Sequence, residues 1–233
     1  MSASTVNILR EDGLGFDAFL ALPDSGSGPG IIVLQEIFGI NFVMREVCHN
    51  LAAQGYVAIC PDLFWRLEAG VELCDKTEGE WAKAFDLYQN FDVDQGIIDS
   101  KETLQFLLNH KACSGKIGAV GYCLGGKLAY LMATRTNVDC SVGFYGVGIE
   151  NDLGESTNII SPHIQHMAEE DQFVPKEVQK KLSSELSTNE NITIYSYPGV
   201  DHAFARINGA HYDQVAAELA NTRTSEFFKS HLT

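Results

Sequence analysis

No apolar run in the chain approaches the ~18–20 residues that a membrane-spanning helix needs. Basic residues are scarce: 16 Lys and Arg stand against 31 Asp and Glu, a formal net charge of -15. Such a field repels phosphate backbones and anionic bilayers, so neither nucleic acid nor a membrane surface is expected as a partner. It would also repel an anionic substrate unless a local cation received it. There is no CxxC pair, no His at short zinc-finger spacing and no GxGxxG, so neither a metal nor a nucleotide cofactor is expected. Six cysteines occur: Cys48, Cys60, Cys74, Cys113, Cys123 and Cys140. A chain of 233 residues can build a core that needs no cross-links. The cysteines are therefore expected to be reduced, with five of them acting as small buried apolar residues. The opening "MSASTVNILRED" lacks the basic and apolar stretches of a signal peptide, and a cytoplasmic location is the expectation. Linkers, repeats and low-complexity segments are missing as well. A single domain over 1–233 and a monomer are expected.

What the sequence does contain is alternation of strands and helices. "VNILR" and "DAFLALP" flank an "EDG" turn as a hairpin would. "GIIVLQEIFG" opens on four successive branched or long apolar residues, the pattern of a strand covered on both faces. "NFVMREVCHNLAAQG" sets Val43, Val47 and Leu51 at helical spacing and stops on Gly55. "YVAIC" is the next buried strand, which completes a βαβ unit. Over 62–92 the periodicity loosens apart from a short aromatic-rich helix, "EWAKAFDLYQNF", and this segment is expected to cover a site. Beyond it "QGIIDSKETLQFLLNH" is a helix with Ile98, Leu104, Leu107 and Leu108 inward. "GKIGAVGY", "CSVGFYG", "HIQHMA" and "ITIYSY" are strands, and the last helix spans Ala210 to Phe228. The fold class is α/β, a mostly parallel central sheet with helices on both faces.

Gly121-Tyr122-Cys123-Leu124-Gly125 sits between a strand and a helix and has the form of the G-x-nucleophile-x-G elbow, with sulfur in place of a serine oxygen. The helix start beside Cys123 offers free N–H groups to developing negative charge. A nucleophile needs a base and an orienting acid, and the elbow fixes their order as nucleophile, acid, histidine. Of seven histidines, His202 alone follows a strand, lies in a polar loop, "GVDHAFAR", and precedes the last helix. For the acid, Glu169, Glu170 and Asp171 share one loop. Asp171 is favoured because it stands nearest the helix that follows, with its neighbours and Asp201 as competitors. His163 and His166, three apart on a strand, face opposite ways and cannot share a metal with Asp171. Glu36 ends a buried strand, where it could regulate the proton on a nearby thiol. Oxyanion donors are expected from the backbone of Ile37 and Leu124.

In these segments the chain resembles the dienelactone hydrolase (carboxymethylenebutenolidase) family of the α/β-hydrolase fold. "VLQEIFGIN", "GYVAICPDLF", "FDVDQG", "GKIGAVGYCLGG", "GFYGVG", "EEDQFVP" and "GVDHAFAR" occur in the family's order. The resemblance implies Cys123 as nucleophile, His202 as base, Asp171 as its partner, and a Glu36 that meets the resting thiol. Substrate would displace Glu36 toward an arginine, matched here by Arg206. It implies cyclic enol lactones bearing a carboxylate as substrates, met in the breakdown of chlorinated aromatics, with dienelactone opened to maleylacetate. Two departures stand out. Trp81 and Phe85 occupy the helix positions where the family has an arginine and a tyrosine, and Ala203 replaces a serine after the base. Losing one charge-assisted contact to a carboxylate costs about 1.5–3 kcal/mol of binding. Weaker use of the charged lactone and better tolerance of neutral or aromatic esters are therefore expected. Phe38, Trp81, Phe85, Tyr88 and Tyr145 are the aromatic candidates for the substrate wall. The rival readings are a broad aryl or phosphotriester-tolerant hydrolase with the same residues, and a small-molecule binding protein without turnover.

Overall fold

The computed structural model describes residues 1–10 and 12–233; Glu11, in the expected "EDG" turn, lies outside the described residues. The chain divides into two compact units, Met1–Gly118 and Ala119–Thr233. Eight strands form one sheet in the order β1-β2-β4-β3-β5-β6-β7-β8, mixed but mostly parallel, with helices on both faces. This is the α/β-hydrolase-like architecture that the alternation of elements implies.

In the first unit, β1 (Ser2–Leu9) and β2 (Gly15–Leu22) pair antiparallel from Ser2–Leu22 to Leu9–Gly15. β2 continues antiparallel onto β4 (Val57–Pro61), which is parallel to β3 (Gly28–Leu34). All of β4 and most of β3 are buried, which accounts for their unbroken apolar sequence. α1 (Phe42–Ala53) starts at Asn41, whose side chain accepts from the Met44 N–H at 3.2 Å. α2 (Glu78–Asn90) is capped by Thr77. Thr77 accepts from the Glu80 N–H at 3.2 Å, and the Glu80 carboxylate takes the Thr77 hydroxyl at 2.9 Å. α3 (Val93–Asn109) leads to β5 (Cys113–Tyr122), which continues into the second unit.

Two helix faces differ from the sequence expectation. α1 buries Met44, Cys48, Leu51 and Ala52, while Val43 and Val47 are half-buried at its flank. α3 buries Ile97, Leu104 and Leu107 together with Asp99, Ser100 and Thr103, whereas Ile98 and Leu108 face solvent. The polar residues are tolerated because each finds a partner. Ser100 and Thr103 return their hydroxyls to Gly96 and Asp99 carbonyls at 2.8 Å. Asp99 accepts from Arg10 at 2.6 Å, from Trp65 Nε1 at 2.9 Å and from both terminal nitrogens of Arg66. A carboxylate with this many charged donors can be enclosed.

In the second unit, α4 (Leu124–Arg135) follows β5, and β6 (Cys140–Phe144), β7 (His163–Ala168) and β8 (Ile192–Tyr197) pair in parallel. α5 (Lys176–Leu186) joins β7 to β8. α6 (Gln214–Leu232) begins four residues later than its sequence pattern predicts, because Asp213 caps it by accepting from the Ala216 N–H at 2.8 Å. Every cysteine is a free thiol; Cys74 and Cys113 are half-buried rather than buried as expected. Cys74 lies beside the α2 cap, where its thiol donates to Glu80 at 3.0 Å. Among the described residues no helix is long and apolar enough to cross a membrane.

Candidate active site

β5 ends at Tyr122 and α4 starts at Leu124, so Cys123 alone makes the turn. Its backbone takes φ 55° and ψ -114°, a region that non-glycine residues enter at a cost of about 1–3 kcal/mol. The turn is held at both ends. Cys123 N–H donates to the Phe144 carbonyl at 3.1 Å, and its carbonyl accepts from Gly126 at 3.0 Å and Lys127 at 3.3 Å. Gly121 is required by close approach: a Cβ there would stand 1.8 Å from the Gly125 carbonyl oxygen. Leu124 contributes the first N–H of α4, one of the groups with no intrahelical partner.

His202 and Asp171, also in this unit, come from the loops after β8 and β7. His202 Nδ1 lies 2.9 Å from Asp171 Oδ2, and both side chains are buried. The other carboxylate oxygen of Asp171 accepts from the Phe173 N–H at 2.8 Å. Asp201, the competing acid, spends its carboxylate elsewhere: on the backbone N–H of His202 at 2.6 Å and of Gln172 at 3.0 Å. Burial opposes a charge on the His202 ring. The Cys123 charge, and hydrogen bonds to Asp171 and to Cys123, outweigh it and raise the ring from 6.5 to about 10. His202 thus touches Asp171 with one nitrogen and has Cys123 as its second polar partner.

Aromatic rings enclose this pair. Phe173 meets the His202 ring at 4.8 Å and 78°, and Tyr145 meets it at 5.0 Å and 63°. Tyr145 is itself buried against Phe144 and Phe204, at φ 39°. Ala203, where the family pattern has serine, is a further non-glycine residue in the left-handed region, at φ 63°. Arg206 is buried in the same loop, and Gly209 makes room for it, since a Cβ there would lie 2.8 Å from Arg206 Cδ. Phe173 is the residue of this group that the sequence reading did not single out. Its signal is an aromatic side chain two positions after Asp171 in an otherwise polar loop start.

The other two buried histidines of this unit are engaged elsewhere. His163 Nδ1 meets Ser141 Oγ at 2.7 Å, while His166 meets the Tyr197 hydroxyl at 2.8 Å and the Thr224 hydroxyl at 3.0 Å. Burial keeps both neutral, at about 4 and about 3. In the first unit Glu36 and Ile37 are buried two and three residues after β3. Phe38 meets Trp81 edge-on at 5.0 Å, and Trp81 stacks on Phe85 at 5.4 Å and 28°. Trp81 Nε1 donates to the Asp75 carbonyl at 3.2 Å, which fixes the indole at the start of α2. Tyr88 is half-buried on the same helix.

A cysteine in this strained turn at a helix start, next to an imidazole anchored by aspartate, is an arrangement of hydrolytic α/β-hydrolases, and the chain is an ester hydrolase of that class. More specifically, it belongs to the dienelactone hydrolase family, whose model matches residues 16–232. It is 45% identical over 229 residues to an Azospirillum brasilense protein provisionally described as a carboxymethylenebutenolidase, covering 97% of this chain and 98% of that one. It is 37% identical over 227 residues to the Pseudomonas putida carboxymethylenebutenolidase, with 97% of this chain and 96% of that one covered. Among solved structures, a provisionally described dienelactone hydrolase of Klebsiella pneumoniae shares the fold at a TM-score of 0.86 and 24% identity, with 98% of each chain covered. A dienelactone hydrolase-like promiscuous phosphotriesterase from metagenomic libraries shares it at 0.81 and 19%, with both chains covered in full. Hydrolysis of lactone or ester bonds is therefore the activity of this family member.

Proposed function

We propose that the chain opens enol lactones through a cysteine thioester, converting dienelactone to maleylacetate. The observation that carries this is the His202–Asp171 hydrogen bond of 2.9 Å on a ring that also engages Cys123. Cys123 sulfur attacks the carbonyl carbon, and the electron pair of the C=O bond moves to oxygen, where the Ile37 and Leu124 N–H groups receive it. Collapse of this intermediate breaks the ring C–O bond and releases an enolate, which takes a proton from the His202 imidazolium. The neutral ring then removes a proton from water, the hydroxide attacks the thioester, and the thiolate leaves as the acid forms. Family membership supports the remaining assignments: Arg206 for the substrate carboxylate, Glu36 as the carboxylate that meets the resting thiol before its proton passes to His202, and 62–92 as the segment over the site. The chain is proposed to act as a cytoplasmic monomer without a cofactor.

A second reading, a broad hydrolase of neutral and aryl esters, is favoured by the Phe38–Trp81–Phe85 ladder. Trp81 and Phe85 present apolar faces at positions where the family presents a cation and a phenol. Turnover of dienelactone and of an uncharged aryl ester, in the native protein and in Trp81→Arg, separates the two. For the lactone reading the native protein prefers dienelactone, and Trp81→Arg raises that preference by about ten-fold. A native preference for the neutral ester selects the second reading. Loss of neither activity in Cys123→Ala would refute both.

A further inference from the structure

We propose that Phe173 is a positioning residue for His202: its ring holds the plane of the imidazole, while its backbone N–H holds the carboxylate that orients the same imidazole. The proposal rests on the hydrolase reading above. Phe173 lies in the loop between β7 and α5, two residues beyond Asp171. Its N–H donates to Asp171 Oδ1 at 2.8 Å, and Asp171 Oδ2 meets His202 Nδ1 at 2.9 Å. The same residue returns with its side chain, ring centroid 4.8 Å from that of the imidazole and nearly perpendicular to it at 78°. Both partners of the acid–histidine pair are thus touched by one residue, the acid through backbone and the base through side chain.

The Nδ1 hydrogen bond and the contact with Cys123 set the rotation of the imidazole about its Cβ–Cγ bond but leave it free to rock through small angles. Packed rings remove this freedom. Tyr145 supplies one, at 5.0 Å and 63°. Tyr145 is also core, 2% exposed and set against Phe144 and Phe204. Phe173 is different. It is 36% exposed, while its neighbour Val174, 5% exposed, is the residue that fills the core under this loop. Core packing therefore does not account for a phenyl group at 173, whereas restraint of the adjacent imidazole does. The Nδ1–Asp171 bond itself lies between two buried side chains. Proton transfer depends steeply on geometry, and a displacement of about 1 Å can lower a rate ~100-fold, so a partial loss of orientation is expected to cost about ten-fold.

Phe173→Leu tests this, because leucine keeps the backbone donor and much of the volume but removes the flat ring. Expected for hydrolysis of an aryl acetate is a kcat lowered about ten-fold, a KM within about two-fold and a melting temperature within about 2 °C. The His202 Nδ1–H proton resonance is expected to broaden as exchange with water speeds up. Phe173→Tyr should restore kcat and the sharp resonance, and Phe173→Met should behave as leucine does. A kcat within two-fold of native in Phe173→Leu, a loss expressed in KM, or a loss that tracks a lowered melting temperature would each overturn the assignment. Cys123→Ala, measured alongside, separates the claims. Turnover that survives it removes the cysteine mechanism, whereas an inactive Cys123→Ala beside a native-like Phe173→Leu removes the positioning role alone.

Discussion

Replacing Cys123 by alanine deletes the sulfur and leaves the Asp171–His202 hydrogen bond in place, so the change isolates what the sulfur does to the imidazole. Burial pulls His202 down harder than any single contact pulls it up, yet the balance ends at about 10 rather than 6.5. The neighbouring Cys123 and Asp171 both act upward, through charge and hydrogen bonding, and removing the sulfur takes away one of the two partners while burial stays. Cys123→Ala is expected to lower the His202 midpoint by about one to three pH units, the range of a single opposite charge nearby, roughly 1.4–4 kcal/mol of proton affinity. Histidine Cε1–H resonances followed by NMR across the neutral and alkaline range provide the assay. In the native protein His202 should remain protonated through about pH 8, and in the variant it should titrate at lower pH than in the native protein.

The same displacement has a sign in stability. Because the folded-state value is raised above 6.5, His202 stabilises the fold fully below about pH 6.5, and that contribution is lost as pH rises through about 10. In Cys123→Ala the loss falls at lower pH than in the native protein, which urea melts between pH 7 and 10 would detect. A native His202 midpoint near 6.5, or one that is unchanged when the sulfur is removed, would refute the reasoning.

Two further substitutions bear on the loops around the site and on its support. Gly209→Ala places a Cβ 2.8 Å from Arg206 Cδ and must displace that side chain; if Arg206 receives the substrate carboxylate, KM for dienelactone should rise about three- to ten-fold while KM for a neutral ester stays constant. Asp99→Asn leaves Arg10 and Arg66 facing each other without their shared anion. It should lower unfolding free energy by about 2–4 kcal/mol in urea titrations, with the slope unchanged.

Strands were legible where burial on both sides makes the sequence continuously apolar. β4, buried throughout, is the example, while "HIQHMA" and "ITIYSY" keep the bounds of β7 and β8 although polar residues interrupt both and the edge strand β8 is mostly half-buried or exposed. Helix faces were less so, because hydrophobicity is a poor guide where polar groups are satisfied locally. Asp99, Ser100 and Thr103 point inward on hydrogen bonds that reach 89 residues back to Arg10 or only four residues along the helix. On α1, valine and methionine at adjacent positions give alternative apolar stripes, and packing selects the one through Met44 and Cys48. At the site, chain order together with the strand-loop-helix setting points to His202, and nearness to the following helix favours Asp171. Asp201 was harder to dismiss from sequence, because its engagement with the His202 and Gln172 backbone is a property of loop conformation. Phe173 escaped notice for a similar reason: its partner is 29 residues away, and no periodic pattern marks a ring that packs on a side chain outside the core.

The left-handed conformations of Cys123, Tyr145 and Ala203 bear on how this enzyme would respond to engineering. Each is a position where glycine or asparagine would relax the backbone by about 1 kcal/mol or more. Two of the three bear side chains that touch the imidazole. A library selected for heat resistance alone should accumulate glycine or asparagine at 203, where no large side chain is lost, whereas at 145 the buried ring is worth more than the backbone relief. Thermostabilisation that preserves turnover would have to leave these three residues untouched and draw its gains from the opposite end of the chain, around the β1–β2 hairpin.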